Sequence, residues 1–276
     1  MELLPLIILA IVQGISEFLP VSSSGHLVVA GELLAEFGYQ MMEEPLLVSI
    51  LLHAGTLGAI LLFYWKDICQ VLTTNRQLIG PIIVGTIPVG VVGVVLKKLL
   101  SPEADAAFES GVLTSPVVSG VMFLVTAGLL IFSARRKAGD TELPQVSYRQ
   151  ALAIGVIQSL AVLPGLSRSG STIAAGLVLG LNRQAAATFS FLLAIPAIGG
   201  VSLIQILDLI GGETSVSGSA EGINLAIATF VSFAVGLVSL CLLVRLVLAG
   251  KLQYFAYYLI PLGLAMIAWK GFGLFG

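Results

Sequence analysis

Glu17, Ser22, Ser23, Ser24 and His26 lie close together in the string EFLPVSSSGHL, Glu17 to Leu27. A carboxylate, three hydroxyls and an imidazole at such spacing are the side chains of nucleophilic and general acid–base chemistry. A second string, LPGLSRSGST, Leu163 to Thr172, sets Ser167, Ser169, Ser171 and Thr172 around one guanidinium, Arg168. Guanidinium forks match phosphate oxygens, and hydroxyls with helix amino termini add further donors for them. Taken together, the two strings hold the equipment of a phosphate-handling site.

Both strings read as interrupted helices. In the first, Gln13 and Glu17 are four apart and share one face of the incoming helix. Pro20 ends that helix, and Ser22 or Ser23 can cap the one that resumes toward Leu27. In the second, Pro164 and Gly165 stop one arm, Ser167 or Ser169 caps the next, and Arg168 projects from the turn. Each restarted helix offers free N–H groups and the positive end of its dipole, so an anion is welcome at either tip. Gly25 lets a ligand approach the backbone. Candidate phosphate-binding residues are therefore Ser22, Ser24, Gly25, Ser167, Ser169, Gly170, Ser171 and Thr172, and Gln13 and Glu17 are candidates for a metal site or proton relay.

The elements that must position these residues belong to a membrane protein. Of 276 residues, 57% are hydrophobic and only 10% charged, more apolar surface than a water-soluble domain can hide. There is no basic stretch of the kind that follows a nucleic-acid backbone, so nucleic acid is excluded as a partner. Cys69 and Cys241 are isolated, which leaves neither a disulfide framework nor a metal-ligand spacing. The opening segment MELLPLIILAIV lacks the positive start of a secretory signal and is expected to be part of the fold.

Six apolar runs are long enough to cross a bilayer as helices: Pro45 to Trp65, Ile79 to Leu96, Pro116 to Ser133, Ala185 to Ile210, Leu225 to Val247 and Leu252 to Trp269. Two further regions, Leu3 to Phe37 and Arg149 to Leu181, are apolar at both ends and polar in the middle, with arms too short to span. A polar break at membrane depth survives only where protein or water covers it, so both are expected to be re-entrant helix hairpins. Lys66, Arg76, Arg135, Arg136, Lys137, Arg149, Arg183, Arg245 and Lys251 fall on one side under this count, against Lys97, Lys98 and Lys270 on the other. The positive-inside rule puts the first group in the cytoplasm and both termini outside.

SSSGH, Ser22 to His26, and SRSGS, Ser167 to Ser171, lie 145 residues apart, and Gln13 and Gln158 keep that offset. The expected architecture is an all-α single membrane domain, residues 1–276, of six spans and two re-entrant hairpins. It forms an inverted-topology repeat, residues 1–134 against 149–276, whose broken helices meet near the midplane. Arg168 is then the single lysine or arginine inside the bilayer, where an unpaired charge costs several kcal/mol, roughly, so a function and a partner are expected for it. A salt bridge to Glu17 with no catalytic duty is the blander reading. His53, in LLHAGTLGAI, is expected to serve packing or helix-to-helix bonding. Glu32 and Glu36 are expected at the outer interface, and Lys97 and Lys98 snorkelling at a helix end.

At these residues the chain resembles the undecaprenyl-diphosphate phosphatase family linked to bacitracin resistance. QGISEFLPVSSSGHL is similar to its first signature and LPGLSRSGSTI to its second, and GTIPVGVVG in the third broad segment also matches. The resemblance implies removal of the terminal phosphate of undecaprenyl diphosphate, which recycles the lipid carrier for cell-wall synthesis, in the bacterial cytoplasmic membrane at an outward-opening site. It also implies functional roles for Glu17, Ser23, His26 and Arg168. Where many members carry a second glutamate this chain has Gln13, so a scheme with two carboxylate metal ligands lacks one here.

Ser23 is the candidate nucleophile, with His26 as general base or acid, and Arg168 with the helix amino termini would hold the diphosphate. Direct attack by water, with Ser23 only binding phosphate, stays open. Glu17 would orient His26 or hold a divalent cation, Mg²⁺ or Ca²⁺, which with so few carboxylates would share its ligands with the diphosphate. The expected partners are the polyprenyl diphosphate and membrane lipid, with a homodimer left open. Two other readings differ in class. A transporter that flips polyprenyl phosphate would use the inverted repeat without needing a nucleophile. An acid-phosphatase-like lipid phosphatase would need a histidine after the arginine, and no histidine follows His53.

Overall fold

The computed structural model describes residues 3–39, 45–99, 109–211 and 219–271. The two polar strings interrupt helices as their prolines and serines dictate. Helix α1, Leu3–Phe18, stops before Pro20, and α2, Ser23–Glu36, begins after a break at 19–22. Later in the chain α7, Tyr148–Leu160, is separated from α8, Arg168–Val178, by a break at 161–167. Between and after them run α3, Pro45–Phe63; α4, Trp65–Leu72; α5, Ile79–Leu99; α6, Pro116–Ala134; α9, Arg183–Gly211; α10, Ser219–Leu248; and α11, Gln253–Gly271. Among the described residues the only extended pairing is an isolated parallel bridge between Thr141 and Leu181.

Five stretches are long and apolar enough to cross a membrane: Leu46–Phe63, Arg76–Leu96, Pro116–Ala134, Arg183–Leu207 and Gly222–Leu248. The protein is a multi-pass membrane protein of helices. The expected sixth span does not qualify with these five, although α11 covers it with 19 residues. Gln253, Tyr254, Tyr257, Tyr258 and Lys270 dilute its apolar character, and the three tyrosines stand exposed. The first expected span also ends early, at Phe63. Tyr64 turns the chain there into the separate, amphipathic α4. The side chains of Lys97 and Lys98 lie outside the described residues.

The packing brings both breaks to the middle of the molecule. α1 lies along α10, α7 along α5, α6 along α11, and α3 against both α9 and α10. Small residues let these backbones close up, as membrane helices require in the absence of a hydrophobic drive between them. At the α6–α11 crossing a Cβ on Gly263 would stand 2.7 Å from the carbonyl oxygen of Gly120. A large apolar core containing the fully buried Phe18, Phe123, Phe189 and Phe191 surrounds the breaks, and Phe18 meets Phe191 edge-on at 5.8 Å. A smaller cluster joins Leu6, Leu9 and Ala10 of α1 to Leu27, Ala30 and Leu34 of α2 and to the first turns of α3 and α10.

Candidate active site

Two N-caps build the site. Ser22 Oγ accepts the N–H of Gly25 at 3.5 Å and lies 3.2 Å from Ser24 Oγ. Ser167 Oγ accepts the N–H of Gly170 at 3.1 Å and lies 3.2 Å from Ser169 Oγ. Each cap starts a helix, and the first helical residue is Ser23 in one case and Arg168 in the other.

The breaks are also bonded to each other. Ser22 Oγ accepts the N–H of Gly165 at 3.1 Å, and Ser169 Oγ donates to the carbonyl of Leu19 at 3.5 Å. Gly25 approaches so closely that a Cβ there would stand 2.6 Å from the Phe123 ring and 2.9 Å from Gly165 Cα. Ser22 has φ 72°, the one non-glycine residue at positive φ among those described, a conformation that costs of order 1 kcal/mol or more. Its two hydroxyl-accepted bonds and its carbonyl, which accepts the His26 N–H at 3.3 Å, hold it there. On the other side Thr126 of α6 clamps the second break, donating to Gly165 O at 2.9 Å and accepting from Ser167 N–H at 3.1 Å.

Glu17 is the meeting point. Its carboxylate is 8% exposed; Oε1 accepts from Arg168 Nη2, and Oε2 accepts from Ser23 Oγ at 2.6 Å and from Gln13 Nε2 at 3.2 Å. The other guanidinium nitrogen, Nη1, is buried with no hydrogen-bond partner among the described residues. Buried donors are almost always satisfied, so an unpaired guanidinium N–H beside a cavity is suited to a ligand oxygen. That cavity has a volume of about 270 Å³. Its lining combines the polar Glu17, Ser22, Ser23, Ser24, Ser167 and Arg168 with the apolar Val89, Val92, Val162, Ile198 and Val201.

Not every expected residue reaches this cavity. His26 is turned away: Nδ1 lies 2.8 Å from the carbonyl of Ser22, Nε2 lies 2.8 Å from Tyr258 Oη, and the ring packs on Phe123 and Tyr258. Ser171 and Thr172 are buried behind α8, where Thr172 bonds to the carbonyl of Arg168 and to Ser190. Gly170 is buried against Pro20, and Ser169 serves to join the breaks. Three residues that do shape the site carried little signal in the sequence. Thr126 and Tyr258 lie in helices outside the two polar strings, with no nearby motif that marks them. His53, expected to pack, lines the cavity with Nε2 3.9 Å from Glu17 Oε2.

The same geometry bears on a cation. Both oxygens of Glu17 are engaged by protein donors, and Gln13 presents its amide N–H₂ to that carboxylate. Among the described residues no group of three His, Cys, Asp or Glu comes together to hold a metal ion. These residues do not fit a resident divalent cation on protein ligands alone.

A single family model, described as bacitracin resistance protein BacA, matches residues 6–265. The chain belongs to this family. Relatives in it cover nearly the full length. The undecaprenyl-diphosphatase of Rhodopirellula baltica is 43% identical over 96% of this chain and 97% of its own. That of Methanosphaera stadtmanae is 40% identical over 97% and 98%, and that of Parabacteroides distasonis 39% over 95% and 96%.

Proposed function

We propose that the protein is an undecaprenyl-diphosphatase, hydrolysing undecaprenyl diphosphate to undecaprenyl phosphate and inorganic phosphate and so recycling the lipid carrier for cell-wall synthesis. Full-length membership of the BacA family supports this, and so do relatives that bear that name. The observation that carries it is the convergence of Glu17, Ser23 and Arg168, from two breaks far apart in sequence, on one cavity whose lining is both polar and apolar.

In this reading Arg168 Nη1 and the first N–H groups of α2 and α8 hold the terminal phosphate and stabilise charge on the transferring phosphoryl group. Ser23 Oγ attacks the terminal phosphorus and Glu17, already accepting its hydroxyl, takes the proton. The bridging oxygen leaves with undecaprenyl phosphate, and water then releases phosphate from Ser23. His26, tied to the Ser22 carbonyl and Tyr258, steadies the turn that presents Ser23. A divalent cation, Mg²⁺ or Ca²⁺, would come with the diphosphate and would supply charge neutralisation there, with Glu17 as its nearest protein carboxylate.

The two breaks belong to re-entrant hairpins of an inverted repeat. The packing of α1 on α10 is mirrored by that of α7 on α5, as exchange of the two halves requires. Gln150, in the first turn of α7, donates to the carbonyl of Leu179 at the end of α8, as a hairpin that returns to its starting face would. Lys270 pairs with Glu32 at 2.8 Å and Glu36 at 3.7 Å, while Arg136 and Arg183 share another small cavity; these groups were assigned to opposite faces. With the first group outside, the cavity opens outward. A cysteine replacing Ser24, in a chain lacking Cys69 and Cys241, is then labelled by an impermeant reagent from outside; labelling from the cytoplasm alone reverses the orientation.

The decisive test is phosphate release from undecaprenyl diphosphate by pure protein in detergent, with and without a chelator, alongside a mass measurement that tests for a homodimer. Activity is expected, lost in Arg168→Ala. Activity that survives this change removes the site, and lipid transport in liposomes that survives Ser23→Ala would favour the flippase instead.

A further inference from the structure

His53 sits where the mechanism leaves a proton without a route. Glu17 Oε2 takes the hydroxyl proton of Ser23 but is buried, and its second neighbour, the amide of Gln13, cannot carry a proton. The third neighbour can. His53 Nδ1 lies 2.8 Å from the carbonyl oxygen of Ser49, one turn back on α3, a bond in which only the nitrogen can donate. That bond fixes the proton of a neutral ring on Nδ1 and leaves the lone pair on Nε2. Nε2 faces Glu17 Oε2 at 3.9 Å, too long for a direct hydrogen bond but spanned by one water. The side chain is 29% exposed and lines the cavity beside the carboxylate.

We propose that His53 is the proton-transfer residue of this site, acting through Glu17 on Ser23; the proposal rests on the phosphatase reading above. As Ser23 Oγ bonds to the terminal phosphorus, its O–H bond breaks and the proton passes to Glu17 Oε2 and on to His53 Nε2. The bond from phosphorus to the bridging oxygen breaks, and undecaprenyl phosphate leaves with the electron pair. His53 then gives the proton to water in the cavity. When water cleaves the phosphoserine, one of its hydrogens stays on the phosphate and the other returns to Ser23 Oγ. His26 cannot serve this path in its present setting, because Ser22 and Tyr258 engage both of its nitrogens.

The charged groups facing His53 are Glu17 from α1 and Arg168 from α8. The cavity residues contributed by α5, α7 and α9 are uncharged, α10 meets α3 with Ser232 and Phe233, and Lys66 and Asp67 of α4 lie beyond the end of α3.

The chain has 2 histidines, so ¹⁵N-imidazole NMR reads each ring directly, with His26→Gln assigning them. In the neutral form His53 is expected as the Nδ1–H tautomer; an Nε2–H tautomer overturns the proposal and needs no active enzyme. In phosphate release by the full-length protein, His53→Gln should lower kcat about 100-fold with KM changed less than about three-fold. Adding Gln13→Glu, which places a second carboxylate beside Glu17 Oε2, should recover about ten-fold in kcat. A His53→Gln protein with wild-type kcat refutes the proposal. So does a loss that Gln13→Glu cannot recover. A wild-type protein that releases no phosphate refutes the phosphatase reading instead, while the tautomer still judges His53.

Discussion

The break at 19–22 and the break at 161–167 solve one backbone problem in the same way and then part in chemistry. Both restart a helix from a serine whose Oγ accepts an N–H three residues on and neighbours the hydroxyl two residues on. Both incoming helices carry a buried glutamine, Gln13 or Gln158, with unpaired polar atoms. At the first helical position, however, one break has Ser23 and the other Arg168, and Glu17 has no acidic counterpart, since Val162 occupies the matching place. Two breaks of one local design thus carry different side chains, a hydroxyl at one and a guanidinium at the other, with the single carboxylate of Glu17 bonded to both.

Arg168→Ala tests that difference most severely. Loss of a fixed guanidinium from the transferring phosphoryl group should reduce kcat/KM by about 10³-fold or more. It also strands Glu17, at a cost of roughly 3–5 kcal/mol for breaking one side of a buried pair. Pairing it with Glu17→Gln should return most of the thermal stability and none of the activity. Full recovery of turnover in the double variant would reduce the pair to the structural bridge that composition alone allows. Arg168→Lys should recover little, because an ammonium cannot hold Glu17 and a phosphate oxygen with two separate nitrogens.

Ser23→Ala comes next. Under the proposed mechanism, removing the Ser23 hydroxyl, which donates to Glu17 Oε2 at 2.6 Å, should lower kcat by about 10²–10⁴-fold with KM nearly unchanged. Because it spares the N-cap, melting should shift little. If kcat falls less than ten-fold, water is the attacking group and Ser23 only binds phosphate.

The site was partly legible in advance. Gln13 and Glu17 at a spacing of four do share a face, and Pro20, Ser22, Pro164 and Ser167 end and restart helices where local chemistry predicts. Local rules fail where the partner is remote. Nothing near Ser22 announces that Gly165 N–H will occupy its hydroxyl, nor anything near His26 that Tyr258, 232 positions away, will turn its ring from the cavity. His53 looked like packing because one histidine in an apolar helix usually is, and only the crossing of α3 with α1 sets it beside Glu17. The sixth expected span forms as the helix α11 but is less apolar than the other five, because its tyrosines, Gln253 and Lys270 lower its hydropathy.

Glycine to alanine exchanges compare how tightly the two tips are held. At Gly25 the new methyl meets Phe123 and the backbone of Gly165, whereas at Gly170 its nearest neighbours are Pro20 Cβ at 3.0 Å and Ser167 Cβ at 3.2 Å. Overpacking against ring and backbone should cost about 1–3 kcal/mol, and the milder crowding at Gly170 less. Thermal melts in detergent should therefore rank Gly25→Ala below Gly170→Ala. The reverse order would mean that the tips do not meet at Gly25.

The finest comparison is between the caps. Ser167→Ala removes one capping bond from a residue in ordinary extended geometry, a loss of about 1 kcal/mol. Ser22→Ala should cost more, because the buried Gly165 N–H loses its acceptor as well and alanine inherits the strained φ. Ser22→Gly separates these two contributions, since glycine tolerates positive φ while still lacking the hydroxyl. It should melt between wild type and Ser22→Ala. If the glycine and alanine variants melt together, strain at Ser22 is negligible and the whole difference between the two breaks lies in the bond to Gly165.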